Sequence, residues 1–586
     1  MGFMKPRLLP VDPGTYRTLP RRDRLQALTR HWVEHGFGSP SSVYLFYVVK
    51  CALYLGGAAL VISPTPGLGP VTEVASWWSE PVVYQKLIVF TLLWEVIGLG
   101  CGSGPLSSRF LPPIGSALYW LRPGTVRLPP WPGKVPFTRG DRRGCVDVTL
   151  YAAVLASGIR LLLGRPDDTG LLDPVGAVPL IVTLAVLGLR DKTVFLAARG
   201  EQYGLSLLVF FFPYGDMFIG FKLIMLAIWW GAATSKLNHH FPFVVATMMS
   251  NAPLVPNRLK PRFYRDHPRD LRPSRLSFLL AHVGTATEYL VPLYLVFLGD
   301  GGPWTWAALL YMVVFHLHIL STLPMGVPLE WNLFFVFSLF FLFGAHGDLT
   351  VWDLHSPWLL AVILPSLVLL PLLGNLRPDL VSFLPAMRYY AGNWATSAWL
   401  FTGDALERLE AGLTTSARLA PHQMATLYDA DTALLLAAKA EGWRAMHSHG
   451  RALNGLVERI TDGQDGVTVL EGELIAGFAL GWNFGEGHLH DDQLLRAVQA
   501  RCAFASGEIR VICLEGQPLH RQTQSYEIHD AALGLLESGH VAVRDMLTRQ
   551  PWPTDGPGYP VYDVRSARPL AEPRPLAEPR PLDSTS

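Results

Sequence analysis

Charge is what this sequence has least of. Only 16% of its 586 residues are Asp, Glu, Lys or Arg, while 50% are hydrophobic, and the mean hydropathy is +0.26. Soluble chains carry roughly 25% charged residues, so an ordinary soluble enzyme is excluded. No surplus of either sign exists: the net charge is +1, which removes the electrostatic case for nucleic acid as a partner. Cysteine is scarce as well. Cys51, Cys101, Cys145, Cys502 and Cys513 are scattered, odd in number and without CxxC spacing, which argues against a disulfide framework and against a thiolate metal site. No cleavable signal peptide is expected, because the first apolar run follows a basic segment and is too long for an h-region.

What the chain does have is long apolar runs in its first two thirds. They fall near Val43–Ile62, Val82–Gly100, Val146–Leu163, Val175–Leu189, Tyr203–Tyr214, Met217–Ser235, Leu276–Leu298, Trp304–Leu323, Trp331–Ala345 and Trp358–Leu373. The fifth is short and meets the sixth through "PYGD", so this pair reads either as two tilted helices or as a broken, re-entrant element. The sequence therefore predicts a polytopic α-helical membrane protein of about ten spans. Basic residues crowd the segment before the first run and the loops around Arg122–Arg143 and Arg258–Arg275, whereas Ser63–Pro81 has no Lys or Arg. With about ten spans all of these basic segments share one side, which places both termini in the cytoplasm of a bacterial inner membrane.

The flanking regions read differently. Residues 1–42 form a basic segment in which "RRDRLQALTRHWVEHGF" sets Leu25, Leu28 and Trp32 on one helical face among arginines. That pattern suits a helix lying on an anionic leaflet. Residues 43–375 are the bundle. Residues 376–565 have ordinary charge and predict a cytoplasmic α+β domain large enough to own a core. In it, "GVTVLEGELIAGFALGW" reads as two strands around a Glu-Gly turn, "EIRVICLE" as a strand, and "YEIHDAALGLLESG" as a helix closed by Gly539. The tail, 566–586, repeats "RPLAEP", and its proline content predicts disorder.

Ionisable groups within apolar runs are costly and tend to mark function. Lys50, Lys86, Glu95, Asp147, Lys222, His282, Glu288, His316 and His318 are of this kind. Glu288 lies near the middle of its run and cannot snorkel, so it serves either as an interior functional carboxylate or as half of an ion pair locking two helices. Lys236 closes the run "FKLIMLAIWWGAATS", with His239 and His240 just behind it. It is either a snorkelling anchor or a base in a poorly solvated site. In the C-terminal domain, His447 with His449 and His488 with His490 repeat a His-x-His pattern. On an extended strand this pattern would turn both rings to one face and suit a metal. The alternative is a set of hydrogen-bonded histidines in Gly-rich turns.

Two stretches carry a resemblance. "RDKTVFLAARGEQYGLSLLVFFFP" contains Asp191-Lys192-Thr193 and then Tyr203-Gly204-Leu205, and "WGAATSKLNHHFPFV" contains a Lys-Leu pair. Together they resemble the transmembrane core of the vitamin K-dependent γ-glutamyl carboxylase-like superfamily. That resemblance implies Lys236 as a base acting on a quinol. The expected site joins to it Glu288 as an interior polar partner, with Asp191, Lys192, Tyr203, His239, His240 and His282 around the substrate. The segment between the two motifs holds no histidine, unlike that superfamily, and the distance from YGL to the lysine is short. Over nearly its whole length the chain also resembles an uncharacterised family of bacterial polytopic membrane proteins. The blocks that carry this are "RPGTVRLPPWP", "RDKTVFLAARGEQY", "AMHSHGRALNG" and "GWNFGEGHLH".

The leading expectation is thus a divergent carboxylase-like membrane protein, surrounded by lipid bilayer, that binds a quinone, quinol or other lipid. A non-catalytic lipid-binding or scaffolding protein is the alternative, and a transporter, suggested by the broken element, is third.

Overall fold

The structure, a computed structural model, describes residues 2–104, 114–322, 329–381, 391–461, 466–553 and 558–566. The Pro-rich repeat of the tail lies outside them. The N-terminal segment contains helix α1 (Arg21–His35). Next come α2 (Ser41–Ile62), α3 (Pro81–Val96), α4 (Cys145–Leu162) and α5 (Val178–Arg190). A broken stretch follows, made of α6 (Lys192–Ala197), a π turn at Gly200–Gly204 and α7 (Leu205–Val209). The bundle continues with α8 (Tyr214–Ser235), α9 (Phe241–Asn251), α10 (Arg275–Phe297), α11 (Pro303–Leu320), α12 (Leu329–Ser338) and α13 (Pro357–Leu376). A small hairpin, β1 (Tyr264–Asp266) and β2 (Asp270–Pro273), precedes α10.

Among the described residues, α2, α4, α8, α10, α11 and α13 are long and apolar enough to cross a membrane. Pro174–Arg190 and Leu329–Ala345 are shorter apolar helices. Their burial shows which helix is central. The apolar window of α8 is 78% buried, against 28% for α2 and 22% for α13. Helix α2 shows how the outer ones work. Tyr47, Lys50, Tyr54, Ala58 and Ile62, spaced at three and four residues, face inward. Leu45, Val48, Leu53, Leu55 and Leu60 are left exposed, as apolar side chains are where the solvent is lipid. Helix α10 buries Ser277, Ala281, Thr285 and Glu288 and exposes Leu279, Val283, Leu290 and Leu293. Its small and polar residues thus let α8 approach closely, the usual pattern of membrane helix contacts.

The C-terminal domain is built on a six-stranded antiparallel sheet. Its strands are β3 (Thr396–Phe401), β4 (Thr468–Glu471), β5 (Ile509–Leu514), β6 (Thr523–Asp530), β7 (Gly534–Ala542) and β8 (Tyr562–Ser566), in the order β4-β3-β5-β6-β7-β8. Helices α14 (Ala430–Met446), α15 (Ser448–Thr461), α16 (Gly472–Leu480) and α17 (Asp492–Cys502) surround it. Two expectations fail here. "YEIHDAALGLLESG" is a hairpin, not a helix: the Asp530 carboxylate accepts from Ala532 and Leu533 N–H at 2.9 and 3.1 Å, and Gly534 takes φ +78. That local hydrogen bonding turns the chain and competes successfully with helix. In "GVTVLEGELIAGFALGW" the first half is β4, but the second half is α16, a short apolar run whose period alone does not separate strand from helix.

Helix α1 also differs from expectation. Its apolar face (Leu25, Leu28, Trp32 and Val33) is buried, but under protein. It packs on α14 and α9, and Trp32 Nε1 donates to the Thr247 carbonyl at 3.2 Å. A stripe that reads as membrane-facing is a helix–helix contact. The C-terminal domain in turn is seated on the bundle. Trp120 Nε1 donates to the Leu480 carbonyl at 2.9 Å, Ser116 Oγ to Gly481 at 2.5 Å, and the Tyr119 hydroxyl to Ala479. One hydrophobic cluster runs from Leu92 and Trp120 through to Trp399, Phe478 and Trp482. Gly481 closes α16 at φ +85, and an added Cβ would lie 2.9 Å from the Tyr119 ring, so both conformation and proximity call for glycine there.

Candidate functional site

The C-cap of α8 is Lys236, at the point where the chain turns into α9. Its ammonium meets the Glu288 carboxylate of α10 in a direct ion pair, with both side chains more than nine-tenths buried. The Phe241 ring lies 5.1 Å from the Lys236 Nζ. One turn back, the Thr234 and Tyr289 hydroxyls are 2.7 Å apart and Trp230 Nε1 donates to the Tyr289 carbonyl at 3.1 Å. Two residues nominated separately from the sequence are therefore one contact, and it bolts α8 to α10.

The other residues expected around this pair are dispersed. His239 and His282 are exposed. His240 is buried and tied to the C-terminal domain, its ring nitrogens 2.6 Å from Ser448 Oγ and 2.8 Å from Gln517 Oε1. Asp191 caps α6 by accepting from Thr193 N–H at 3.1 Å and is ion-paired with Arg143. Lys192 is half-buried, and its backbone N–H donates to the Leu128 carbonyl at 2.8 Å. Tyr203 sits in the π turn, fully buried, its hydroxyl without a partner among the described residues and its ring 5.5 Å from Phe334.

The four histidines of the C-terminal domain do not lie on strands. His447 follows the last residue of α14, His449 is in the first turn of α15, and His488 sits in a 3-10 turn with His490 just after it. Each is engaged. His449 accepts from Arg444 at 2.8 Å through Nε2 and reaches the Gly392 carbonyl at 3.2 Å through Nδ1. His447 Nδ1 reaches the Trp443 carbonyl at 2.9 Å, and His490 Nδ1 meets Ser397 Oγ at 2.7 Å. Burial holds His447 and His490 down at about 3, and with the nearby Arg444 it depresses His449 further. His488 goes the other way. Burial opposes its charge, yet Glu515 at 2.8 Å and Glu486 at 3.2 Å flank its two nitrogens and raise its pKa well above the ordinary value. Among the described residues no three His, Cys, Asp or Glu are arranged to hold a metal ion.

What the sequence did not nominate is a chamber of about 580 Å³ between α1, α2 and the C-terminal domain. Val43, Tyr47 and Lys50 of α2 form its wall on the bundle side, and Leu436, Leu474 and Phe484 its wall on the domain side. Lys50 Nζ donates to the Gly100 and Ser103 carbonyls at 2.6 and 3.2 Å and lies 3.1 Å from Glu330 Oε1. Arg444 Nε donates to Glu471 at 2.7 Å and its Nη2 to Glu473 at 2.8 Å. Burial outweighs this guanidinium at Glu471 and pushes its carboxyl up to about 7. Lys439 is 3% exposed, donates to the Phe37 carbonyl at 2.6 Å and to that of Arg7, and is lowered by burial to about 7. Of these, only Lys50 carried a sequence signal, as a lysine inside an apolar run.

Residues 1–563 match a family model described as "Transmembrane protein of unknown function (DUF3556)". The chain belongs to this family. No curated protein and no solved structure matches it. The matched residues include the bundle, the residues lining the chamber and strands β3 to β7.

Proposed function

We propose that this membrane protein takes an amphipathic molecule from the lipid phase into the chamber between its bundle and its C-terminal domain. The observation that carries this reading is the chamber itself. Its volume of about 580 Å³ falls within the range of roughly 300–1,000 Å³ typical of small-ligand sites. It adjoins the lipid, because α2 presents Tyr47 and Lys50 to the chamber and Leu45 and Val48 outward. Mass spectrometry of organic extracts from the purified full chain tests it. A lipid or quinone should be recovered in near-stoichiometric amount, and Ala437→Trp, which fills the chamber from α14, should expel it. Equal retention by wild type and Ala437→Trp would overturn the reading.

The same proposal puts both termini and the C-terminal domain on the cytoplasmic side of a bacterial inner membrane. Counting α3, the short apolar helices and the broken α6–α7 stretch as crossings gives ten, with the basic loops on one side. The packing of α1 on α14, which keeps the two ends of the chain together, supports this. Reporters fused after Leu298 and after residue 390 should read outside and inside respectively.

A second reading keeps Lys236 as a base in a carboxylase-like reaction on a quinol. What favours it is the DKT, YGL and Lys-Leu motifs together with the meeting of Lys236 and Glu288. Neither residue lines the chamber, and the ion pair accounts for both without chemistry. Arginine cannot act as a base near neutral pH, so full genetic complementation by Lys236→Arg would overturn this second reading.

A further inference from the structure

We propose that the occupant of the chamber carries an acidic head group, a carboxylate or a phosphate, held by Arg24 and Arg21. This rests on the lipid-binding reading and goes beyond it by assigning the head-group chemistry. Five cationic side chains line the chamber among its described residues (Arg21, Arg24, Lys50, Lys439 and Arg444) against three carboxylates, Glu441, Glu471 and Glu473. Most of these charges are already committed. Arg444 spans Glu471 and Glu473, Arg21 Nη2 donates to Glu441 at 2.9 Å and to Asn454 at 2.7 Å, Lys50 sits beside Glu330, and Lys439 holds backbone carbonyls.

Arg24 is different. It has no ion pair among the described residues, and its Nε is buried without an acceptor. It follows Arg21 by three positions on α1 and so shares a helical face with it. Arg21 Nε and Trp443 Nε1 are buried without acceptors too, whereas Asn483 Oδ1 is the one lining acceptor left without a donor among the described residues. Arg21 is anchored to Glu441, and Arg24, about one turn further along the same face of α1, lines the chamber beside it. Buried N–H groups left unmet are costly, and the two guanidinium ones on this face of α1 call for a partner rich in acceptors. An oxyanion supplies this, and guanidinium matches carboxylate and phosphate geometry better than any other side chain. The apolar side chains of the wall, among them Val43, Leu434, Leu436 and Leu474, are left for a hydrocarbon chain.

The test uses the full chain in detergent with four probes: oleate, oleoyl lysophosphatidate, uncharged monoolein and inorganic phosphate. Binding is read by tryptophan fluorescence. Oleate or lysophosphatidate should bind about tenfold or more tightly than monoolein. Arg24→Gln should lose that preference, Arg24→Lys should keep only part of it, and an unchanged unfolding curve for Arg24→Gln should show an intact fold. If monoolein binds as tightly as the acids and Arg24→Gln changes nothing, the acidic head group is overturned while the lipid chamber stands. If inorganic phosphate competes as well as lysophosphatidate, the anion subsite stands and a lipid as its source is overturned. Binding of none of the four overturns both readings.

Discussion

Removing the Lys236 ammonium separates a structural bolt from a catalytic base. In Lys236→Met the Glu288 carboxylate stays on α10 with its side chain 6% exposed and its ion gone. Breaking one side of a buried pair costs about 3–5 kcal/mol, because the remaining charge is left uncompensated. The SDS-unfolded state keeps much of its helix and lets polar groups find other partners, so the lower end, about 3 kcal/mol, is expected. Glu288→Leu should cost a similar amount. The double variant should cost far less than the sum, since replacing a buried ion pair by apolar residues of similar volume is often neutral. The assay is reversible unfolding in mixed micelles for the wild type, both single variants and the double variant. A coupling energy of about 2 kcal/mol or more is expected. Additivity within about 0.5 kcal/mol would refute the reasoning, because it would mean that the two charges do not compensate each other.

Three further outcomes follow from named contacts. An isolated fragment of residues 391–566 should lack a cooperative melting transition in circular dichroism, because Trp399, Phe478 and Trp482 share their core with Leu92 and Trp120; a sharp transition would show that the domain closes its own core. Arg444→Met should destabilise the full chain by about 2 kcal/mol in chemical unfolding, since it leaves Glu471 and Glu473, with side chains 12% and 17% exposed, without their cation. His488 has a folded pKa raised well above 6.5 by Glu515 and Glu486, so its stabilisation is fully present below the unfolded value of about 6.5 and is lost as pH rises through the folded one. The stability difference between wild type and His488→Gln should therefore shrink as titrations move from about pH 6 into the alkaline range, and a difference that grows would contradict the assignment.

The bundle was legible because a membrane leaves few choices. Apolar runs long enough to span, such as Ser41–Ile62 and Arg275–Phe297, must be helical to satisfy their own backbone. The elements that misled are those where local chemistry outranks period. Asp530 and Gly534 turn a helix-like run into a hairpin. Gly472 opens a helix where its missing Cβ leaves room for the His490 ring and Ser397 Oγ. Helix α1 misled for another reason: a face that would sit on a membrane and a face that packs on α14 have the same composition, and only the tertiary partner tells them apart.

The site was half legible, and the line between the halves is physical. Lys236 and Glu288 could be nominated singly because a charge beside or inside an apolar run is costly wherever it points, and cost is visible in sequence. The chamber could not be nominated. Its wall is assembled from α1, α2, the Cys101–Ser103 segment, α14 and the sheet, segments hundreds of residues apart whose residues look ordinary where they stand. Arg24 illustrates this best. Within "RRDRLQALTR" it is one of four arginines on a basic amphipathic helix, and the natural reading gives all of them to lipid head groups outside the protein. Once Leu25, Leu28 and Trp32 are covered by α14 and α9, the same helix carries Arg21 and Arg24 into the wall of the chamber. There Arg21 finds Glu441 and Arg24 finds no carboxylate among the described residues. If the chamber takes an acidic lipid as proposed, an affinity that the sequence would assign to a surface belongs to this pocket. A pocket of that kind would select one molecule at a time, where a surface would hold the whole protein to the leaflet.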